Sequence, residues 1–232
     1  MKIAILVGHG KSKSGGYDSG AVSKDKQYHE FKIAKEVAKY AAEALETYDC
    51  EVALVNYNGG LSLVERISKF KNNAYAFIAE IHLNAAGGTG TEVYCYPGDK
   101  IGKSYAAAIS QSVSSAMGIK NRGAKESDYY GIIRETTPTA VLVETCFIDN
   151  DNDLNKIKTV AGQKTAGEAI AKAIATTAKL SKKTASTPAT HPETPANTAL
   201  YKVQVGAFAN KANADKLAAE LKAKGYSAFV TK

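Results

Sequence analysis

Three short apolar runs, each leading into a histidine or a glutamate, constrain the fold of this chain most strongly. Residues 3–7 precede His9, a second run precedes His82, and residues 140–143 run directly into Glu144. Runs of this length, rich in β-branched residues, predict buried strands. Because parallel strands of an open α/β sheet present their carboxyl ends at one ligand-binding edge, we expect these three side chains to converge there. Two imidazoles and a carboxylate at one edge suggest a catalytic zinc.

Strand-like and helix-like segments alternate through the first 180 residues. Further strands are predicted near residues 52–55 and 92–96. Helical spacing of apolar residues predicts helices at residues 31–45, 63–74, 101–117 and 154–180. This alternation predicts a three-layer α/β sandwich with a mostly parallel central sheet.

A change in composition divides the chain. Residues 181–199 hold three of the five prolines and no large apolar side chain, which predicts an extended linker between domains 1–180 and 200–232. The last segment predicts a small βαβ unit, with strands at 201–208 and 226–231 around a helix at 210–224. Units of fewer than about 40 residues rarely stand alone, so we expect this one to need a partner.

Composition and charge narrow the class of protein. No apolar stretch approaches the ~20 residues that span a bilayer, and the amino terminus lacks a ~7–15 residue signal core, so we expect a chain made in the cytoplasm without a signal peptide and with no membrane partner. The net charge is +7, and residues 200–232 carry six basic against two acidic side chains. A basic tail suits a polyanion. Without a zinc-finger, helix-turn-helix or RNP signature, an anionic cell wall is favoured over nucleic acid.

The three cysteines do not supply the chemistry. Cys50, Cys95 and Cys146 are odd in number and form no CxxC pair, which favours neither a disulfide framework nor a thiolate zinc site. Cys146 lies close to Glu144 in sequence, but nothing indicates an activated nucleophile. We therefore expect packed thiols.

Glu30 is the best candidate for a third metal ligand. It opens the helix that follows a Gly/Ser/Lys-rich loop, so its carboxylate can turn back toward His9. Glu144 then stays free to act as a general base on metal-activated water. The neighbouring His29 competes with Glu30 for the third position. Glu80, two residues before His82, is interpreted as a supporting or structural group on the same strand face.

Each candidate also has a plainer interpretation. A strand-end histidine alone is more often satisfied by backbone groups than by a metal, and Glu144 could simply pair with a neighbour such as Arg134. A carboxylate that ends an apolar strand is costly without a partner or a function. The ordered set of His9, His82 and Glu144 favours the metal site.

The motifs resemble those of the zinc-dependent N-acetylmuramoyl-L-alanine amidases of the Amidase_3 type. The matching pieces cover about residues 1–178 and are Gly8-His9-Gly10, a glutamate at the next helix start, Ile81-His82-Leu83-Asn84-Ala85, and residues 142–150. The resemblance implies that His9, Glu30 and His82 bind Zn²⁺ and that Glu144 is catalytic. The chain departs from the family pattern at Cys146, where a glycine is usual, and in its longer loop before Glu30.

The carboxy-terminal segment resembles half of a SPOR domain, a module that binds peptidoglycan glycan strands. Residues 203–208, the spaced Ala214, Leu217 and Leu221, and Gly225-Tyr226 carry the likeness. The family module repeats its βαβ unit twice and only one copy is present here. We therefore expect a homodimer formed through this unit, or a poorly ordered tail.

Together, the resemblances imply an enzyme that cleaves the amide between the lactyl group of N-acetylmuramic acid and L-alanine in peptidoglycan. The expected setting is action on the wall after release, as a phage endolysin or a mother-cell lytic enzyme. Two alternatives stay open: a non-catalytic wall-binding protein, and a zinc peptidase or deacetylase that acts on another amide.

Overall fold

The structure is a computed structural model that describes residues 1–71, 75–183, 205–223 and 229–230. Its strands are β1 (Lys2–Val7), β2 (Gly10–Lys11), β3 (Tyr17–Asp18), β4 (Glu51–Val55), β5 (Phe77–Asn84), β6 (Thr91–Cys95), β7 (Asn121–Glu126) and β8 (Thr139–Phe147). Its helices are α1 (Glu30–Leu45), α2 (Leu63–Ser68), α3 (Lys100–Met117), α4 (Gly131–Arg134), α5 (Asp151–Ile157), α6 (Val160–Thr177) and α7 (Lys211–Ala223).

Six strands form the central sheet in the order β4-β1-β5-β8-β6-β7. β4, β1, β5 and β8 are mutually parallel, β6 runs antiparallel to β8, and β7 is parallel to β6. The sheet is therefore mostly parallel, as predicted. The short β2–β3 hairpin lies outside it, in the loop before α1.

Helices cover both faces of the sheet. On one face, Ile3, Ile5 and Val7 belong to a core cluster that includes residues of α1, α3 and α6. On the other face, Ala4 and Leu6 pack in a second cluster with residues of α2 and α4. Strands buried on both faces are apolar throughout rather than alternating, which explains the continuous runs in the sequence. The predicted three-layer sandwich is confirmed.

The sequence prediction of one helix over residues 154–180 is wrong, because α5 and α6 are separate. The Thr159 side chain caps α6 by accepting a hydrogen bond from the Gly162 backbone N–H. A β-carbon at Gly162 would lie 1.8 Å from the carbonyl oxygen of Lys156, so the start of α6 lies so close to the end of α5 that only glycine fits there. A local cap and a close backbone contact therefore accompany a break in the helix that the apolar pattern did not indicate.

Two further elements differ from expectation. α2 begins as predicted, where Ser62 and Glu65 form a reciprocal capping box, but it ends at Ser68 rather than continuing. The rest of that prediction, residues 72–74, lies outside the described residues. β7 was not predicted, since its sequence, Asn-Arg-Gly-Ala-Lys-Glu, is polar and contains glycine. It lies at the sheet edge, where polar residues are tolerated.

The chain divides into two compact units between Ala185 and Ser186. In the second unit, α7 matches the predicted helix. Residues 205–208 and 229–230 carry no strand assignment, and the remainder of both predicted strands lies outside the described part of the chain. The βαβ arrangement and the boundaries of the linker therefore stay predictions. Within the described residues, no helix combines the length and apolar character needed to cross a bilayer.

Candidate metal centre and active site

His9 lies just beyond β1 in a left-handed conformation, with φ of 58°. Side chains hold a non-glycine residue in this disfavoured region here. Asn56 Nδ2 and Arg66 Nη1 each donate a hydrogen bond of 2.8 Å to the His9 carbonyl oxygen. Such a conformation costs on the order of 1–3 kcal/mol and persists where the surroundings over-determine it, commonly at functional sites.

Glu30 lies between the two histidine rings. Its Oε1 is 2.8 Å from His82 Nδ1 and 3.1 Å from His9 Nε2. The three side chains each offer one ligand atom, all within 4.8 Å of one another. Glu30 is the first residue of α1, and its carboxylate also accepts hydrogen bonds from the backbone N–H groups of Leu83 and Ala21. The helix start therefore aims the carboxylate at the sheet edge, as the sequence suggested.

A glycine makes room for this arrangement. Gly20 has a φ of +68°, and a β-carbon there would lie 2.4 Å from Glu30 Oε2 and 2.7 Å from His9 Cδ2. The long loop before α1 therefore passes directly over two of the clustered residues. Glycine is required at position 20 both because of this close approach and because of the positive φ.

Each histidine turns its other ring nitrogen toward a carboxylate. His9 Nδ1 lies 2.9 Å from Asp18 Oδ2, and His82 Nε2 lies 3.4 Å from Glu80 Oε2. Arg66 Nε donates to Glu80 at 3.1 Å and so ties that carboxylate in place. A carboxylate behind a ligating imidazole fixes the ring orientation and makes it a stronger ligand. Glu80 thus contacts the site as interpreted, whereas Asp18 was missed.

The electrostatics of the cluster favour bound positive charge. Burial opposes ionisation of Glu30, but hydrogen bonds from His82 and His9 outweigh it and hold its pKa below the usual range. Burial likewise opposes charge on His82, yet its contacts with Glu30 and Glu80 raise its pKa well above the usual value. Two nitrogens and one carboxylate, surrounded by further carboxylates, form a donor set that fits a divalent cation such as zinc.

Glu144 lies on β8 directly beside His82 on β5, as its register partner. The residue is 8% exposed, and its Oε2 is buried without a hydrogen-bond partner in the part of the chain that the structure describes. Burial raises the pKa of Glu144 to about 7, and the nearby Glu30 and Glu92 charges act in the same direction against the two histidines. A buried carboxylate in this condition is a candidate general base.

Two alternatives from the sequence, a Glu144–Arg134 ion pair and His29 as the third ligand, differ from the contacts of the described residues. Arg134 donates hydrogen bonds to the carbonyls of Asp128 and Tyr129 and pairs with Glu135 rather than with Glu144. His29 lies outside the metal-ligand cluster, at the N-cap of α1.

The cysteines are free thiols. Cys95 and Cys146 are fully buried. Burial raises the pKa of Cys146 well above its usual value, which opposes a role as a nucleophile.

The sheet edge, with two histidines, a helix-start glutamate and a separate buried glutamate, defines an α/β protein with the donor set of a metallohydrolase. Comparison with known proteins is consistent with this class. The profile of the N-acetylmuramoyl-L-alanine amidase family (Amidase_3) matches residues 3–176, and that of the SPOR domain matches residues 166–232. This chain belongs to the N-acetylmuramoyl-L-alanine amidase family.

Individual relatives of this chain carry the name of the same family. The chain is 33% identical over 234 residues to the N-acetylmuramoyl-L-alanine amidase CwlM of Bacillus licheniformis, covering 99% of this chain and 84% of the relative. It is also 33% identical to the sporulation-specific N-acetylmuramoyl-L-alanine amidase of Bacillus subtilis, with the same coverage. Among solved structures, the catalytic domain of CwlV from Bacillus (Paenibacillus) polymyxa matches with a TM-score of 0.69 at 26% identity, covering 78% of this chain and all of that domain.

Proposed function

We propose that this protein uses zinc to hydrolyse the amide between the lactyl group of N-acetylmuramic acid and L-alanine in peptidoglycan. The observation that supports this most directly is the cluster of His9, Glu30 and His82 beside Glu144, whose Oε2 is buried without a partner. Family membership supplies the substrate class.

His9 Nε2, Glu30 Oε1 and His82 Nδ1 are the atoms that would hold the ion, since they face one another. The other ring nitrogens of the two histidines are directed at Asp18 and Glu80. Three protein ligands of this kind leave room for water and substrate at a catalytic zinc. Zinc bound there would polarise the scissile carbonyl and lower the pKa of water. Asp18 and Glu80 would keep the two imidazoles in the required orientation.

Glu144 would move the proton. Its carboxylate accepts a proton from the attacking water as the new carbon–oxygen bond forms. It then gives that proton to the nitrogen of L-alanine as the carbon–nitrogen bond breaks, which leaves a free lactyl carboxylate and a free amine. A pKa near 7 before any ion is bound matches a group that must both take and release a proton.

The carboxy-terminal segment would bind the enzyme to its polymeric substrate. The SPOR match and the basic tail both suit a peptidoglycan surface. Since the predicted βαβ unit is of a size that rarely stands alone, we propose that two chains pair through it. Multi-angle light scattering should then give the mass of a dimer for the full chain and of a monomer for residues 1–183. A monomeric full chain would contradict the pairing.

The setting is proposed to be the cell wall, reached after release from the producing cell. The similarity to a sporulation-specific amidase supports a mother-cell lytic enzyme, and a phage endolysin is the other possibility. Immunodetection through a sporulation time course, compared with prophage induction, would separate the two. Protein that accumulates under neither condition would argue against both settings.

Mass spectrometry of purified wall digests tests the activity. We expect free lactyl groups on the glycan and free L-alanine amino termini on the peptides to appear together, to disappear with a zinc chelator and to return with added zinc. New amino termini elsewhere in the peptide would indicate a peptidase, and free glucosamine amines would indicate a deacetylase. Either result, without lactyl release, would overturn the proposal.

A further inference from the structure

A row of residues crosses the sheet from the metal cluster to its far edge. His82 is the register partner of Glu144, Glu144 is that of Glu92, and Glu92 is that of Gly123 on β7. Strands lie about 4.8 Å apart, so Gly123 is about 10 Å from Glu144. Beyond Glu144, the row therefore reaches a region that the proposed chemistry does not use.

Two cations converge on the one carboxylate in this part of the row. Arg122 Nε lies 2.6 Å and Lys125 Nζ 2.9 Å from Glu92 Oε2, and the Glu92 side chain is only 3% exposed. Glu92 also accepts hydrogen bonds from Asn84 and Tyr94 through its other oxygen. One negative charge between two positive charges leaves a surplus of positive charge beside the site.

The cations remain accessible although they are anchored. The side chains of Arg122 and Lys125 are 28% and 37% exposed. Arg122 contacts Glu92 through Nε alone. Among the described residues, its two terminal nitrogens have no hydrogen-bond partner. The guanidinium carbon also lies 5.0 Å from the centre of the Phe147 ring, a cation–π contact that helps to hold the side chain in place. A guanidinium held in this way presents a fork that matches a carboxylate.

Open space lies beside these two side chains. Gly123, between them in the sequence of β7, has a φ of +81°, and a β-carbon built there would meet no atom within 4 Å apart from those of its two chain neighbours. The end of the row is therefore open at Gly123 rather than packed against another element.

We propose that Arg122 and Lys125 form a subsite for a carboxylate of the substrate's peptide, on the leaving-amine side of the scissile bond. The inference rests on the proposed function. In that substrate the acyl side is a lactyl ether of a neutral sugar, so carboxylates follow L-alanine only. The two cations contact Glu92, which is one strand spacing (about 5 Å) from Glu144, and their backbone is two spacings (about 10 Å) away. A span of about 5–10 Å corresponds to roughly two to three extended residues, which places the second and third peptide residues within reach. The pair would select acidic over amidated peptides.

The test uses soluble muramoyl peptides that differ at one group, a free carboxylate or its primary amide, on the second or the third residue. For the full-length wild type with zinc, kcat/KM should favour the acid at one of these residues by about tenfold or more, the usual worth of a charged hydrogen bond. Arg122→Gln and Lys125→Met should each reduce that preference, with the loss confined to the acid substrate. Lys103→Met is the matched control, because it removes an exposed cation that pairs with Glu126. Glu126 lies on β7, the strand that also carries Arg122 and Lys125.

The outcomes separate the two proposals. Absence of lactyl release from every substrate would refute the proposed function itself. Cleavage with equal kcat/KM for acid and amide forms would refute the subsite alone. A role confined to supporting Glu92 would slow both substrates equally in Arg122→Gln, and that result would also refute it. Thermal unfolding checks that both variants are folded, and Lys125→Met keeps the test informative if Arg122→Gln is not.

Discussion

The ring of His82 occupies the space where a side chain at Gly8 would lie. A β-carbon at Gly8 would be 2.2 Å from both Cε1 and Nε2 of that ring. β1 and β5 are adjacent, and the backbone after β1 forms one wall of the pocket that holds the imidazole. The glycine before His9 is therefore required by the orientation of the other histidine.

We expect Gly8→Ala to weaken zinc binding by about tenfold or more, the size of loss that follows when a ligand's supporting contacts are disturbed. The His82 ring must move to accommodate the methyl group, while the buried strands on either side stay in place. Competition with a chromogenic chelator measures the affinity. Gly60→Ala is the control, since a β-carbon there meets nothing within 4 Å. Equal affinities for the two variants would contradict the packing argument.

Removal of the base should separate binding from catalysis. Glu144→Gln should retain zinc and lose activity by about 10²–10⁴-fold, the usual contribution of a general base. His82→Ala should lose both zinc and activity. Metal analysis and turbidity of purified walls give the two readouts. If Glu144→Gln lysed walls at the wild-type rate, Glu144 would not be the base.

Asp18 should matter for the metal without touching it. Asp18→Asn leaves His9 Nδ1 with a neutral acceptor, so we expect zinc affinity to fall by about 10–100-fold. Asp25→Asn in the same loop is the matched control, because Asp25 bonds to Ser23 and Gln27 instead of a histidine. A loss of the same size in both variants would point to general disturbance of the loop.

The position of the ligands in sequence explains how much of the site could be predicted. His9, His82 and Glu144 each end an apolar strand, and the edge rule for parallel sheets brings such residues together. Glu30 could be predicted as a ligand because it starts the helix that follows the first strand and its loop. No sequence pattern pointed to Asp18. It pairs with Gly10 in the β2–β3 hairpin, whose strands are only two residues long and cannot be recognised within a glycine-rich loop.

The far side of the site was beyond sequence reasoning for a different reason. β7 is a polar edge strand without an apolar pattern, so no sequence pattern indicated that Arg122 and Lys125 lie beside Glu92. The antiparallel insertion of β6 between β8 and β7 depends on tertiary packing. The sandwich itself followed from alternation of strands and helices, whereas the break between α5 and α6 depended on a local cap.

Stability should depend on pH through Glu92. Burial opposes its ionisation, but hydrogen bonds from Arg122 and Lys125 prevail, so its folded pKa lies below the usual value. A depressed pKa adds stability above the unfolded-state pKa of about 4.3, and that stability is lost as pH falls through the folded pKa. The difference in free energy of unfolding between wild type and Glu92→Gln should shrink from pH 6 to pH 3. We would measure it by urea unfolding.

The control for that series is Glu126→Gln, which removes an exposed carboxylate paired with Lys103. Exposed pairs are screened by solvent, so its difference from wild type should stay small throughout. A pH-independent difference for Glu92→Gln would mean that the carboxylate is not held ionised by its two cations.

Anomalous diffraction at the zinc absorption edge, on crystals of the full chain grown with zinc, tests the central claim most directly. We predict one strong peak bonded to His9 Nε2, Glu30 Oε1 and His82 Nδ1, with Glu144 beside it and not bonded to the ion. Zinc bound elsewhere, or the three side chains pointing apart with no peak between them, would contradict the account.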